Sequence, residues 1–500
     1  MVGPTVKRHI PGAQFFDDKK VAVLGLGVSG RAAIQALATH TSAELGAWDQ
    51  SPSALATITS SQVAHSYACH DGGELVADVI AWQPDLVVIA PGFRQTGVEW
   101  QALRQAQLPV WSEIELAWQL RSCSSDGQYA PWLCVTGTNG KTTTVAMLES
   151  ILQSAGRRAC AVGNVGKPAV TAVSDVSEDA PEVVAVELSS FQLAATFSME
   201  PTAAIVLNLA DDHLEWHASR SEYAAAKASI YERTHIACLY PVGDSVVQDM
   251  VDNAEVIEGA RAIGLSLGIP SRGELGFVED AAVDRAFIPN AHRSAAELFT
   301  LADIAHLTPA GYDLPAHIVK DALAAAALAR SIGVEPEAVS QGLRQFHSAS
   351  HRIELVGNVE GVSYIDDSKA TNAHAAQASL RAQDKHSTVW IVGGLAKGAT
   401  FTDLVARVED RLAGVVVIGV DQSPWRAALQ NLQVPVTFID NSAPEPMDEA
   451  VHEAHRMAKA GQTVLLAPAS ASQDQFASYS ERGEKFEQAV RDLQNAGREG

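Results

Sequence analysis

Cysteine is scarce in this chain and follows no pattern. The 500 residues hold five (Cys69, Cys123, Cys134, Cys160 and Cys238), odd in number and without a C-x-x-C pair, so neither a disulfide framework nor a zinc site is supported. Positive charge is also short. Lys plus Arg number 36 against 59 Asp plus Glu, a formal charge of −23, which opposes nucleic acid and anionic lipid as partners. An anionic small molecule would need basic groups gathered locally. No apolar run approaches the roughly 18 residues that span a bilayer, and residues 1–16 lack the apolar core of an export signal. A reducing, cytoplasmic setting follows, with no nucleic acid and no membrane as partner. What is present is 47% hydrophobic and 19% charged, a globular chain long enough for about three domains.

Three segments each open on an apolar strand, a glycine turn and a helix. The strands are expected at 21–24, 132–135 and 389–392, a parallel α/β pattern. Residues 121–131 (RSCSSDGQYAP) are small and polar, with Gly127 and Pro131, the composition of a linker. They place a boundary near 125. The Ala-rich helix expected over 316–331 is apolar on nearly every face, which predicts burial, and a second boundary near 348 follows it. Domains of 1–125, 126–347 and 348–500 result. Residues 242–310 read as short strands and turns whose order the sequence leaves open.

The most informative run is Val135-Thr-Gly137-Thr138-Asn139-Gly140-Lys141-Thr142-Thr143-Thr144, where an apolar strand feeds a glycine turn that opens an amphipathic helix over 145–152. Such a turn cradles phosphate. Its backbone N–H groups point at phosphate oxygens, the helix start adds partial positive charge, Lys141 adds a full one, and the Thr142 hydroxyl can ligate Mg²⁺. A Walker loop has glycine six residues before the lysine; Val135 stands there instead.

Gly25-Leu-Gly27-Val28-Ser29-Gly30 follows the first strand, and Asp49 ends the next one, which satisfies the dinucleotide fingerprint. An NAD-dependent oxidoreductase explains it. A nucleotide-sugar diphosphate fits the same geometry equally well. A second turn, Pro91-Gly92, closes another strand. Glu187 ends a buried-type strand and suits Mg²⁺, while the strand over 203–209 runs into a segment containing Asn208, His213 and His217, oxygen and imidazole donors at one rim. Read from sequence alone, Lys227 is a helix-surface lysine. In the third segment, Asp366-Asp367-Ser-Lys369-Ala-Thr371-Asn372, Gly393-Gly394-Leu-Ala-Lys397 and the run 465–479, with Ser472 and Tyr479, each follow a strand. Two lysines after two strands could hold the two carboxylates of a dicarboxylate amino acid, or could be solvated surface groups.

Taken together, Gly137-Thr-Asn-Gly-Lys-Thr142, Gly163-Asn164-Val-Gly166, Glu187-Leu-Ser-Ser-Phe-Gln-Leu193, Asp212-His213, His351-Arg352 and Asp366-Asp-Ser-Lys-Ala-Thr-Asn372 resemble the Mur ligases over nearly the whole chain. The resemblance implies an α/β chain of three domains: Rossmann-like at the N-terminus, P-loop ATPase-type in the centre, Rossmann-like at the C-terminus. It implies ATP-dependent addition of D-glutamate to UDP-N-acetylmuramoyl-L-alanine through an acyl phosphate, in peptidoglycan precursor synthesis, by a monomer. Another Mur-type or a folylpolyglutamate-type amide ligase is the nearest alternative. By the same resemblance ATP is bound by Gly137, Thr138, Asn139, Gly140, Lys141, Thr142 and Thr143, with Arg352 and Asp367 added from the third domain. Mg²⁺ falls to Thr142, Glu187, His213 and a carbamylated Lys227, and Lys141, Glu187, His213 and Lys227 form the catalytic set. Gly27, Val28, Ser29, Asp49, Gly92, Asn164 and Ser189 line the UDP-sugar path. Lys369, Thr371, Lys397, Ser472 and Tyr479 hold the amino acid. The family pattern is departed from at Ile318 and Asp321, where it often has asparagines, and at Gln473.

Overall fold

The structure, a computed structural model, describes residues 8–58, 62–164, 166–210, 216–308, 314–347, 353–381 and 383–499. It divides into two compact units, Met1–Asp303 with Lys320–Phe346 and Ile304–Val319 with His347–Gly500. No described helix is long and apolar enough to cross a membrane.

The first unit is built on two large sheets. Five parallel strands lie in the order His65–Ala68, Glu44–Asp49, Lys20–Leu24, Leu86–Ile89, Val110–Trp111. Winding therefore reverses beside Lys20–Leu24, which opens a crevice at the carboxyl ends of that strand and of Leu86–Ile89. The second sheet has nine strands, with Trp132–Thr136 between Val183–Glu187 and Ala203–Val206. Strands covered on both faces need continuous apolar runs rather than alternation, and WLCVT and VVAVE are buried at every position. One hydrophobic core runs from Val21 and Leu86 of the first sheet through Ile114 and Leu116 to Trp132 and Val184 of the second.

The described part of the region 242–310, residues 242–308, contributes an extension of this sheet. Arg261–Leu265 and Glu274–Val278 add in parallel, and Ala281–Asp284 and Ala296–Thr300 close it antiparallel. Asp284 ends its strand in a buried ion pair with Arg330 Nε at 3.0 Å. Arg330 lies in the alanine-rich helix Ala316–Ser331, whose residues from Ala322 to Ala329 are all buried as their composition predicts. The polar stretch after residue 121 is tied down, because Cys123–Ser124 pairs antiparallel with Arg8–His9.

The second unit has six strands in the order Glu354–Val359, Val362–Asp366, Thr463–Leu466, Thr388–Gly393, Leu412–Ile418, Val436–Phe438. Only the first is antiparallel. The last strand in sequence is thus inserted between the second and third, so the loops leaving all three emerge side by side.

Candidate active site

Trp132–Thr136 delivers the phosphate loop, and the helix Lys141–Ser154 starts directly after it. Gly140 caps that helix at φ +86°, and a side chain there would put Cβ 2.4 Å from Asp321 Oδ1. Only glycine fits the conformation and the space together. The strand expected over 203–209 ends at Val206 because its continuation clamps the loop. Thr138 N donates to Asn208 O at 3.1 Å, Asn139 N to Asn208 Oδ1 at 3.0 Å, and Asn208 Nδ2 back to Asn139 O at 3.1 Å. Lys141 Nζ folds over the loop and donates to the carbonyls of Gly137 and Thr138 at 2.8 and 3.0 Å. Thr142 is half-buried in the first helical turn. The next hydroxyl, Thr143 Oγ1, is buried without a hydrogen-bond partner.

Glu187 lies one strand over, in register with Val135 and, on its other side, with Gly163. It is 2% exposed, and Asn164 holds it twice: the amide N–H donates to Glu187 O and Nδ2 to Glu187 Oε1, both at 2.9 Å. Gly163 permits this approach, since a Cβ there would sit 2.2 Å from Glu187 O. Ser189 caps the short helix Ser190–Leu193 in a reciprocal capping box with Gln192.

Lys227 corrects the sequence reading. It is not on a helix surface but 2% exposed, with Nζ donating to Gly137 O at 2.9 Å and lying 4.9 Å from the centre of the Tyr223 ring. Tyr223 is a part that sequence did not reveal; its hydroxyl bonds Thr138 Oγ1 at 3.0 Å. His217, grouped with possible ligands by sequence, is fully buried against Ser190 Oγ at 2.9 Å. His213 and Arg352 lie outside the described residues. Among the described residues no three of His, Cys, Asp and Glu gather as a metal cluster.

In the first sheet, Gly27, Val28, Ser29, Asp49 and Gly92 line one cleft of about 570 Å³ together with Gln50, Phe93, Arg94 and Glu99. Asp49 is occupied by its own chain: Oδ2 accepts from Leu26 N at 2.6 Å and Oδ1 from Ser51 N at 2.8 Å. It braces the glycine turn between the two strands. Arg94, two residues beyond Gly92, adds a cation to the lining of this cleft, a group type that can pair with phosphate oxygens. Its position after the turn was the available signal. A small cavity of about 10 Å³, room for one water, lies between Ser29, Pro91, Glu113 and Gln192. Glu113 is buried there, with Oε1 accepting from Val170 N at 2.6 Å and Oε2 unpartnered, and burial pushes its carboxyl up to about 7.

The second unit brings the remaining candidates to the carboxyl ends of adjacent strands. Lys369 and Thr371 follow Val362–Asp366, Lys397 follows Thr388–Gly393, and Ser472 and Tyr479 follow Thr463–Leu466. The loops are knitted by Gly393 N to Pro468 O at 2.9 Å, Leu395 N to Ala471 O at 2.8 Å and Ala469 N to Ala370 O at 2.9 Å. Lys369 Nζ lies 5.5 Å from the Tyr479 ring centre, Lys397 is exposed, and Ser472 Oγ is buried and unpartnered. Asp367 is buried and accepts from Ser379 Oγ.

Residues 135–272 match the Mur ligase middle domain and residues 351–470 the Mur ligase, glutamate ligase domain. The chain is 47% identical over 484 residues to UDP-N-acetylmuramoylalanine--D-glutamate ligase of Streptomyces coelicolor, covering 96% of this chain and 99% of that relative. The chain belongs to the Mur ligase family. A relative of the same name from Thermobifida fusca is 45% identical, with 95% of this chain and 98% of the relative covered. Solved Mur ligase structures share the fold at low identity. MurF from Acinetobacter baumannii matches with a TM-score of 0.56 at 16% identity, over 98% of this chain and 100% of its own. A pseudomurein peptide ligase type C from Methanothermus fervidus matches with a TM-score of 0.55 at 16% identity, over 95% and 100%. Membership in the Mur ligase family displaces the oxidoreductase reading of the Gly25–Gly30 turn.

Proposed function

We propose that this chain is an ATP-dependent ligase that joins D-glutamate to UDP-N-acetylmuramoyl-L-alanine, working as a cytoplasmic monomer in peptidoglycan precursor synthesis. The observation that carries the reading is the phosphate loop, where two amines from separate helices, Lys141 and Lys227, meet at Gly137 O. The choice of amino acid is supported by the relatives' shared name along the full chain. In this reading residues 1–125 bind the UDP-sugar, 126–347 bind ATP, and 348–500 present glutamate.

A carboxylate does not acylate an amine at neutral pH. The acceptor's alanine carboxylate therefore attacks the γ-phosphorus of ATP, the bond to the β-γ bridging oxygen breaks, and ADP leaves an acyl phosphate. Loop N–H groups and Lys141 hold the triphosphate; exchanging two neutral carbonyls for phosphate oxygens strengthens the lysine's hydrogen bonds. The donor set suits Mg²⁺, a hard cation bound through one or two carboxylates and substrate phosphates rather than in a protein cage. Thr142 and Glu187 would hold it, with His213 and carbamylated Lys227 completing the set, and it would supply charge neutralisation. Carbamylation would turn a buried cation into an anion able to bind metal. The second unit's Lys369, Thr371, Lys397, Ser472 and Tyr479 hold glutamate, and Arg352 and Asp367 add ATP contacts. The unprotonated amine of glutamate attacks the acyl carbon, and the tetrahedral adduct loses a proton from nitrogen to solvent and expels phosphate to leave the amide.

The test uses acceptor labelled with oxygen-18 in its carboxylate, ATP and either glutamate enantiomer. One label per turnover should enter inorganic phosphate, and only D-glutamate should yield product. Unlabelled phosphate would exclude the acyl phosphate, and product from L-glutamate alone would exclude the assigned substrate.

A further inference from the structure

Arg482 sits in the helix Tyr479–Glu499 and is fully buried. A guanidinium in such a place must be satisfied by fixed acceptors, and its three come from two loops. Nε donates to Ser368 Oγ at 3.0 Å, Nη2 to Ser368 O at 2.8 Å, and Nη1 to Ser470 O at 3.1 Å. Ser368 Oγ in turn donates to Tyr479 O at 2.7 Å, and Ser368 N to Asp366 Oδ1 at 2.8 Å. Burial lowers the guanidinium to about 10, against attraction by Asp474 and Asp366, so it remains charged at neutral pH.

These contacts lock the turn carrying Lys369 and Thr371 to the one carrying Ser472, and fix the backbone at Tyr479. Arg482 reaches none of those side chains itself. We infer that Arg482 is a positioning residue that sets glutamate affinity by holding the loops after Val362–Asp366 and Thr463–Leu466 in one spacing. The inference rests on the reading of these loops as the glutamate site. Lysine retains the charge but loses the planar fork that spans three acceptors. An amino acid held by Lys369 and Thr371 from one loop and Ser472 from the other needs both loops at once, whereas the phosphate loop and the nucleotide cleft are built from other strands.

The test compares Arg482→Lys with the parent enzyme in steady-state phosphate release, varying each substrate in turn. The KM for D-glutamate should rise at least ten-fold, while that for UDP-N-acetylmuramoyl-L-alanine stays within two-fold, that for ATP, reached from the same turn only through Asp367, rises less than the glutamate KM, and kcat falls less than the glutamate kcat/KM. An unchanged glutamate KM, or an equal rise in all three, would overturn the assignment. Should the lysine variant fail to fold, Ser368→Ala removes one contact to each neighbour. It should raise the glutamate KM at least three-fold, and no rise would overturn the assignment equally. A parent enzyme that shows no saturation by D-glutamate would defeat the reading of the site, and this inference with it, in a separately visible way.

Discussion

Lys141 and Lys227 share one acceptor, the carbonyl oxygen of Gly137, at 2.8 and 2.9 Å. Two amines that start 86 positions apart in sequence are thereby no farther from each other than two hydrogen bonds allow. Their roles in the proposed chemistry are separable. Lys141 is required as a cation for phosphate, whereas Lys227 is required as an amine that takes up CO₂.

Lys227→Arg keeps a positive charge but cannot form a carbamate. Activity should fall by about 10² to 10³, the cost of removing one preorganised electrostatic group. The parent enzyme in ¹³C-bicarbonate should show a carbamate carbonyl resonance that the variant lacks. An arginine variant with near-parent turnover would remove Lys227 from the metal set.

Gly140→Ala meets two obstacles, the left-handed backbone at φ +86° and the Asp321 oxygen 2.4 Å from the new Cβ. The backbone part alone costs about 1–2 kcal/mol. The variant should melt lower and bind ATP more weakly. Adding Asp321→Ala should restore some but not all of the melting temperature, as only the second obstacle is removed. Full recovery would show that backbone conformation is not limiting.

Glu113 makes stability depend on pH in a direction opposite to that of a salt-bridged acid. Its carboxyl is raised from 4.5 to about 7 in the fold, so the native state keeps the proton over a range where the unfolded chain has lost it. Stability falls as pH climbs from about 4.5 to about 7 and stays reduced above. Glu113→Gln retains an acceptor for Val170 N and has no proton to lose. At about 1.4 kcal/mol per pKa unit, it should be more stable than the parent at pH 8 by up to about 3 kcal/mol, and equal to it near pH 4. Urea titrations at the two pH values measure this; equal stabilities at pH 8 would mean that Glu113 ionises freely.

Arg330→Ala strands Asp284 as a buried carboxylate held, among the described residues, by the amides of Ala286 and Phe287. Loss of one partner from a buried pair typically costs about 3–5 kcal/mol. Arg330→Ala with Asp284→Asn should cost less than the arginine change alone. A double variant worse than the single would mean that packing of the Arg330 stem outweighs the charge.

Local chemistry explains which features the sequence disclosed. The phosphate loop, the Gly25–Gly30 turn and the three loops of the second unit each complete their pattern within a few residues of one strand end, so type and spacing were enough to place them there, whereas the ligands proposed for them rest on the family resemblance. Lys227 was misjudged because its burial depends on a carbonyl 90 residues earlier; lysine in an alanine helix otherwise reads as solvated. Asp49 occupied the expected position, but its partner, Leu26 N, could be known only once the two strands were side by side. Arg482 gave no signal at all. It stands among Glu481, Glu484 and Lys485 in a charged helix, and nothing short of the packed fold separates it from them.

Because Asn164 grips both the main chain and the carboxylate of Glu187, that side chain has already surrendered its rotational freedom before any ligand arrives. An immobilised glutamate forgoes up to about 2 kcal/mol of side-chain entropy, a cost met on folding and absent from the cation capture proposed for it. Asn164→Ala, which removes the side-chain half of the grip, should therefore raise the magnesium concentration needed for half-maximal turnover while leaving Glu187 itself in the chain, and an unchanged magnesium titration would show that the grip has no bearing on ion capture.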